Sequence, residues 1–124
     1  MFTGWQKDVA SIYADIDLNV LVSKNEGTPV TLIEGLACGV PVLCTDVGGI
    51  RDFANHKCGT IVDAHISPEG LADHLERLLN DPEALKPLNP GVSGRILEQF
   101  DVSRLVEDMQ QLYDELLHSD FSNK

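Results

Sequence analysis

The chain has 124 residues, 43% of them hydrophobic, with 20 Asp and Glu against 9 Lys and Arg for a formal net charge of −11. That length suits one domain with a real core, and the acidity argues against nucleic acid, which needs a basic face, and against anionic membrane surfaces. No stretch approaches the roughly 20 apolar residues of a membrane span, and the N-terminus lacks the charged-then-apolar pattern of a signal peptide. The three cysteines, Cys38, Cys44 and Cys58, are odd in number and widely spaced. They read as buried, reduced thiols, not as a disulfide framework or a zinc site. The four histidines, His56, His65, His74 and His118, have no metal-ligand spacing either.

In chain order, "MFTG" is compatible with the end of a strand. "KDVASIYADI" predicts a helix capped by Asp8, with Val9, Ile12, Tyr13 and Ile16 at helical spacing. "LNVLV" (18–22) is short and apolar, as in a buried strand. A helix over Pro29–Cys38 follows, closed by Gly39. "PVLCT" (41–45) is a second buried strand, "VGG" (47–49) a turn, "RDFAN" (51–55) one helical turn, and "GTIV" (59–62) a third strand. Ser67 caps a helix begun by Pro68, with Leu71, Leu75, Leu78 and Leu79 on one face. Asp81-Pro82 starts a short helix and "VSGRILEQF" (92–100) forms another. Asp101 caps the last, whose apolar positions 102, 105, 106, 109, 112, 113 and 116 fit the amphipathic template. The tail "SDFSNK" reads as frayed.

Strands that are apolar throughout, alternating with helices, predict an α/β fold: a parallel sheet covered on both faces. Such sheets bind ligands at the carboxyl ends of their strands. The stretch "SKNEGTPVTLIEGLACGVPV" lies at that edge, between the first two strands. Gly27 lets the backbone bend or approach a ligand. Thr28 can cap the helix, and Pro29 is pre-set for its first position. The N–H groups of Val30 and Thr31 then face the loop and, with the helix dipole, make an anion site suited to phosphate. At about 100° per residue, Leu32, Ile33, Leu36 and Ala37 form one buried arc. Glu34 sits at the arc's edge, nearly over Val30, and is placed to lean back toward the same mouth. A carboxylate there accepts from paired hydroxyls such as those of a ribose; Glu26, in the loop, accepts from hydroxyls on the other side of a bound phosphate. Two hydroxyl acceptors flanking an anion hole suit a nucleotide-sugar. Solvated or capping roles for both carboxylates satisfy the same spacing.

"SKNEGTPVTLIEGLACGVPVLCTDVGGIRD" resembles the core of the donor-sugar domain of glycosyltransferase family 4, the group 1 glycosyltransferases of GT-B fold. The family pattern is a Glu, seven residues, a second Glu, a small-residue helix end, a Gly-x-Pro-Val strand and a Gly-Gly turn. Here these are Glu26, Glu34, "ACGVPV" and Gly48-Gly49. The preceding "FTGW…VASIYADIDLNVLVS" and the later "SPEGLADHLERLLNDPE" resemble the family as well, so the likeness covers nearly the whole chain.

The resemblance implies a partial C-terminal nucleotide-sugar-binding domain over 1–124, an incomplete half of a GT-B fold. It implies an enzyme that transfers a glycosyl group with retention from a nucleotide-diphosphate sugar, without a bound metal or other cofactor. Glu34 would bind the ribose hydroxyls. Glu26 would face the transferred sugar and carry the catalytic assignment. Gly27, Thr28, Pro29 and Val30 would line the sugar and diphosphate, Pro29 through its carbonyl alone. Gly48 and Gly49 are either part of the donor pocket or a tight turn. Trp5 either borders the nucleobase or is a core aromatic. Arg51-Asp52 replaces the family's usual Pro-Glu. Measured against the family, the chain begins midway through the second of two Rossmann-like domains. It thus lacks both the acceptor domain and the earlier strands that bring a basic Arg and Lys pair to the diphosphate. Lys24 does not match that pair.

The partners so implied are a nucleotide-sugar, an acceptor (sugar, lipid or other molecule) held by the missing N-terminal domain, and no nucleic acid. An unpaired sheet edge and the apolar face of the last helix add a weak homodimer. The implied location is cytoplasmic, with the full-length protein able to sit peripherally at a membrane. A non-catalytic nucleotide-sugar-binding or interaction module is the alternative. A sugar epimerase of similar fold fits less well, because epimerases do not usually carry the paired-Glu core.

Overall fold

Three short strands at the centre of the molecule run in the same direction: β1 (Asn19–Leu21), β2 (Val42–Thr45) and β3 (Gly59–Val62), in the order β1-β2-β3. The computed structural model describes residues 2–119. Val20 lies opposite Leu43, and Leu43 opposite Thr60. Among the described residues five α-helices accompany the strands: α1 (Val9–Tyr13), α2 (Val30–Ala37), α3 (Pro68–Leu79), α4 (Pro90–Phe100) and α5 (Val102–Ser119). A 3-10 segment, Gly48–Asp52, joins β2 to β3.

Every residue of β2 is buried. Successive side chains of a strand point to opposite faces, so both faces of this central strand are covered, as its unbroken apolar run predicts. On one face Val42 and Cys44 join Leu32 and Leu36 of α2, Ile96 of α4, Ile50 and Phe53 in a single cluster. Phe53 meets Phe100 edge-on with ring centroids 5.5 Å apart. Leu43 and Thr45 are buried on the other face.

Helix starts follow their predicted chemistry where a short polar side chain precedes the helix. Ser67 Oγ accepts from Gly70 N at 3.1 Å, and Asp101 Oδ1 accepts from Ser103 N at 2.7 Å. Asp8 Oδ1 accepts from Ser11 N at 3.2 Å. Each satisfies an amide that the helix itself leaves free.

Other expectations need correcting. Residues 2–4 form no strand. Thr28 does not cap α2: the cap position is Pro29, which has no side-chain donor or acceptor to offer. Asp81-Pro82 opens only a turn, held by Ala84 N donating to Asp81 O at 3.0 Å; Pro87 and Pro90 follow too closely for a helix to propagate. Instead α4 starts two residues earlier than expected, at Pro90, with Asn89 Oδ1 accepting from Gly91 N at 2.8 Å. Gly48-Gly49 of the "VGG" turn and Arg51-Asp52 of "RDFAN" belong to the one 3-10 segment, while Phe53, Ala54 and Asn55 lie outside it. Cys44 and Cys58 are buried, but Cys38, at the end of α2, is exposed. The tail lies outside the described residues from position 120 onward.

Candidate functional site

Because the three strands are parallel, the loops after Leu21, Thr45 and Val62 share one edge of the sheet. A chain of backbone and side-chain contacts ties these loops together. Thr45, the one buried polar side chain among the described residues, donates from Oγ1 to Ser23 O at 2.6 Å. That bond fixes the exit of β1 to the exit of β2. Asp46 N donates to Val62 O at 2.8 Å, adding the exit of β3.

The second tie joins the two glycine turns. Gly49 N donates to Gly27 O at 2.9 Å. Gly48 has φ +55°, and a Cβ on it would collide with the carbonyl of Glu26. Only glycine tolerates both the left-handed backbone and that approach. The "NEGT" loop and the "VGG" turn, which are separated by all of α2 and β2 in sequence, are therefore one surface. Gly27 itself has φ outside the left-handed region and open space where a Cβ would stand. It is not needed for the bend; what its lack of a side chain leaves clear is the outer surface.

Helix α2 points its N-terminus at this surface. Leu32 N and Ile33 N both bond to Pro29 O, at 3.1 and 3.3 Å. The amides of Val30 and Thr31 have no acceptor among the described hydrogen bonds. Pro29 is buried behind them, while Gly27, Thr28 and Val30 are exposed. Glu26 is half-buried. The mouth is an open wall with two free amides, a clear glycine and a carboxylate.

Glu34 lies four residues, about 6 Å along the axis, beyond Val30. It is half-buried on the side of α2 that faces α1 and β1. Tyr13 Oη, from the end of α1, is 2.9 Å from Thr31 O and 3.4 Å from Glu34 Oε2. Asn19 Nδ2, from β1, donates to the same Thr31 carbonyl at 2.9 Å. These contacts need a helix with no side chain at position 35: a Cβ on Gly35 would stand 2.5 Å from Asn19 Nδ2 and 3.3 Å from Tyr13 Cε1. Burial, and then the neighbouring Glu34 charge, push the Tyr13 hydroxyl above its ordinary pKa, so it remains a hydrogen-bond donor through neutral pH.

Of the basic residues near the mouth, Arg51 is already committed. Arg51 grips Asp46 with two bonds, Nε to Oδ1 at 2.9 Å and an Nη to Oδ2 at 2.8 Å. That hydrogen bonding holds the Asp46 carboxyl below its usual range. Asp52 Oδ2 lies 3.1 Å from where a Cβ of Gly49 would stand, with Gly27 O at 3.2 Å from the same point. It places a further carboxylate beside the Gly27–Gly49 tie. Lys24 is exposed in the loop.

The structure thus brings together Glu26, Gly27, Thr28, Pro29, Val30, Gly48 and Gly49. Glu34 stands on the same helix, along the flank held by Tyr13. Trp5 is not a core aromatic: it is 82% exposed, with Lys7 Nζ 5.9 Å from its ring centre. Nothing in its contacts joins it to the mouth. Tyr13, Asn19, Gly35 and Thr45 were missed as site-building residues. Gly35, an isolated glycine inside a helical pattern, was the one readable signal of a close approach. At the opposite edge of the sheet a cavity of about 310 Å³ opens between Tyr13, Asp17, Cys38, Pro41 and Pro87. No cluster of His, Cys, Asp and Glu among the described residues could hold a metal ion, and no helix among them is long and apolar enough to cross a membrane.

Comparison with known proteins places the chain in a family. Residues 1–92 match the family model "Glycosyl transferases group 1". The chain is 32% identical over 124 residues to N-acetyl-alpha-D-glucosaminyl L-malate synthase of Bacillus anthracis, covering all of this chain and 32% of that protein. It is 35% identical over 113 residues to D-inositol 3-phosphate glycosyltransferase of Thermobispora bispora, covering 90% of this chain and 26% of that one. Among solved structures, sucrose-phosphate synthase of Thermosynechococcus elongatus superposes with a TM-score of 0.76 at 28% identity, over 90% of this chain and 28% of that one. The chain therefore spans between a quarter and a third of the length of these relatives. Its Rossmann-like parallel sheet is of the GT-B kind. With three quarters of its residues inside the matched family model, the chain belongs to the group 1 glycosyltransferases.

Proposed function

We propose that this chain is the donor-binding part, within a C-terminal nucleotide-sugar-binding domain, of a retaining glycosyltransferase that uses a nucleotide-diphosphate sugar. The observation that carries the reading is the joined surface at the carboxyl edge of the sheet. There the free amides of Val30 and Thr31 and the uncovered Gly27 stand beside Glu26 and the Gly48-Gly49 turn. In this reading the two amides and the helix dipole hold the diphosphate. Glu26 accepts from hydroxyls of the transferred sugar, and Glu34 accepts from the ribose. Gly48 and Gly49 form the floor of the donor pocket, and Trp5, which makes no contact with the mouth, is left exposed for a base to stack on.

The reaction breaks the bond between the sugar's anomeric carbon and the diphosphate oxygen. A bond to the acceptor oxygen forms on the same face, and the acceptor's proton passes to the departing phosphate. Charge grows on that phosphate as the bond breaks, which is where oriented amides stabilise a transition state most. Arg51 is already paired with Asp46 and the chain carries a net charge of −11, so further cations come from outside this segment. The acceptor, whether sugar, lipid or another molecule, docks there too. The free thiols suit a reducing, cytoplasmic setting.

The test is full-length protein incubated with a panel of nucleotide-diphosphate sugars and candidate acceptors, with the product's anomeric configuration read by NMR. The expected result is transfer with the donor's configuration retained. Inverted product refutes the retaining mechanism. Tight donor binding with no transfer to any acceptor favours a non-catalytic nucleotide-sugar-binding module.

A further inference from the structure

We propose that Tyr13 is a positioning residue for Glu34, holding its carboxylate at the angle needed to receive the ribose; this rests on the assignment of Glu34 proposed above. The hydroxyl of Tyr13 has one hydrogen and two acceptors within reach, Thr31 O at 2.9 Å and Glu34 Oε2 at 3.4 Å. The Thr31 carbonyl does not depend on it, because Asn19 Nδ2 already donates there at 2.9 Å. The tyrosine hydrogen is therefore free to turn to Glu34 without leaving the Thr31 carbonyl unpaired.

The surrounding packing serves the same end. Gly35 follows Glu34 directly, and its missing side chain is what lets Asn19 and the Tyr13 ring close on this flank of α2. Glu34 has three rotatable bonds before its carboxylate, and an unheld side chain of that kind loses rotamer freedom on binding. A neighbouring donor removes part of that freedom beforehand. Tyr13 suits the task because its hydroxyl, half-buried against a carboxylate, keeps its proton. Asn19 and Tyr13 arrive from different elements, so the orientation of Glu34 depends on how α1 and β1 pack on α2.

The experiment uses full-length protein and calorimetry with UDP, GDP and ADP, carrying the tightest binder forward against its 2′-deoxy counterpart. Wild type should prefer the ribonucleotide by about tenfold or more, the factor for a charge-assisted hydrogen bond. Glu34→Gln should remove most of that preference. Tyr13→Phe should lower it about threefold to fivefold. In the Glu34→Gln background Tyr13→Phe should change nothing further, since it acts through the carboxylate. A 2,3-difluorotyrosine at position 13 keeps the ring and makes the hydroxyl a stronger donor; it should raise the preference. A merely structural role would weaken both nucleotides equally and leave the ratio alone. If Glu34→Gln lowers the ratio while neither change at Tyr13 moves it, the positioning role is overturned and the ribose assignment stands. If Glu34→Gln leaves the ratio unchanged, the ribose assignment itself fails.

Discussion

The amide of Gly49 donates to the carbonyl of Gly27 across 2.9 Å, joining two turns that leave different strands of the sheet. Beside it, Gly48 holds a left-handed backbone against the carbonyl of Glu26. The two positions should respond oppositely to a methyl group. Gly48→Ala cannot keep this geometry: the left-handed backbone alone costs roughly 1–2 kcal/mol, and the collision adds to it. Gly27→Ala has open space and an ordinary φ, so its unfolding free energy should stay within about 0.5 kcal/mol of wild type. In the full-length protein Gly27→Ala should nevertheless weaken nucleotide-sugar binding, because the methyl occupies the surface presented to the ligand. Urea denaturation and calorimetry on both variants check the contrast; a Gly27→Ala protein as unstable as Gly48→Ala would contradict it.

The cysteines should separate by accessibility. Cys38 is exposed, whereas Cys44 and Cys58 are buried. Burial raises the Cys44 pKa to about 11. Native protein at pH 8 should therefore take up one equivalent of iodoacetamide rapidly, at Cys38, and all three only after denaturation. The raised value also sets an alkaline limit. The folded state holds the Cys44 proton more tightly than the unfolded chain does. Its contribution to stability is thus complete below the ordinary thiol pKa and is lost as pH rises from there toward 11. Mass spectrometry of the labelled peptides and a denaturation series from pH 8 upward check both statements.

At the acid end the sign reverses. Asp8, Asp46, Glu69 and Asp101 all have pKa values held below their ordinary range, by Ser11, Arg51, its own and Ser67's hydrogen bonds, and Ser103 respectively. Carboxylates of this kind stabilise the fold fully above their unfolded pKa and stop doing so as pH falls through their lowered folded values. The urea midpoint should hold level from neutrality to the usual carboxylate range and fall below it. Asp101→Asn, which keeps a capping oxygen but cannot titrate, should flatten part of that fall.

Helix α2 should be the most sensitive element to truncation. Leu32 and Leu36 are completely buried against Val42, Cys44 and Ile96. Leu36→Ala should cost about 2–5 kcal/mol, the range for leucine-to-alanine changes in a packed core. The same change at exposed Leu117 should cost under about 0.5 kcal/mol. Equal effects in denaturation would mean that α2 is not docked as described.

Helix α5 presents Val102, Leu105, Val106, Met109, Leu112, Tyr113 and Leu116 to the outside, each at least two-fifths exposed. With the outer edge of β1 unpaired in the sheet order, this chain in isolation should form a weak dimer. Burying even ~500 Å² is worth roughly 12 kcal/mol before association costs, which cancel most of it. The charge of −11 opposes contact, so moderate salt should strengthen the dimer. Sedimentation across a concentration series at two salt levels reads this directly; a monomer throughout would count against it, and Met109→Glu should abolish any dimer seen.

What the sequence by itself determined was whatever rests on neighbours along the chain. The apolar runs 42–45 and 59–62, the caps Ser67 and Asp101, and the paired carboxylates around the start of α2 are local patterns with local causes. Each can be read one turn at a time. The α5 stripe was equally legible, but whether a partner covers it was not. Only the tertiary structure decided which turns meet. That the Gly49 amide closes on Gly27, that Thr45 ties the ends of β1 and β2, and that Tyr13 and Asn19 converge on one carbonyl through the space left by Gly35 depend on sheet register and helix placement. The reason is physical: hydrogen bonds between residues distant in sequence are selected by how the elements pack, and periodicity carries no record of that choice. The same reason explains the error at Cys38, which follows an apolar run yet sits where α2 ends at the surface. Of the two roles open to Trp5, its exposure removes the core one, because no neighbouring element covers it.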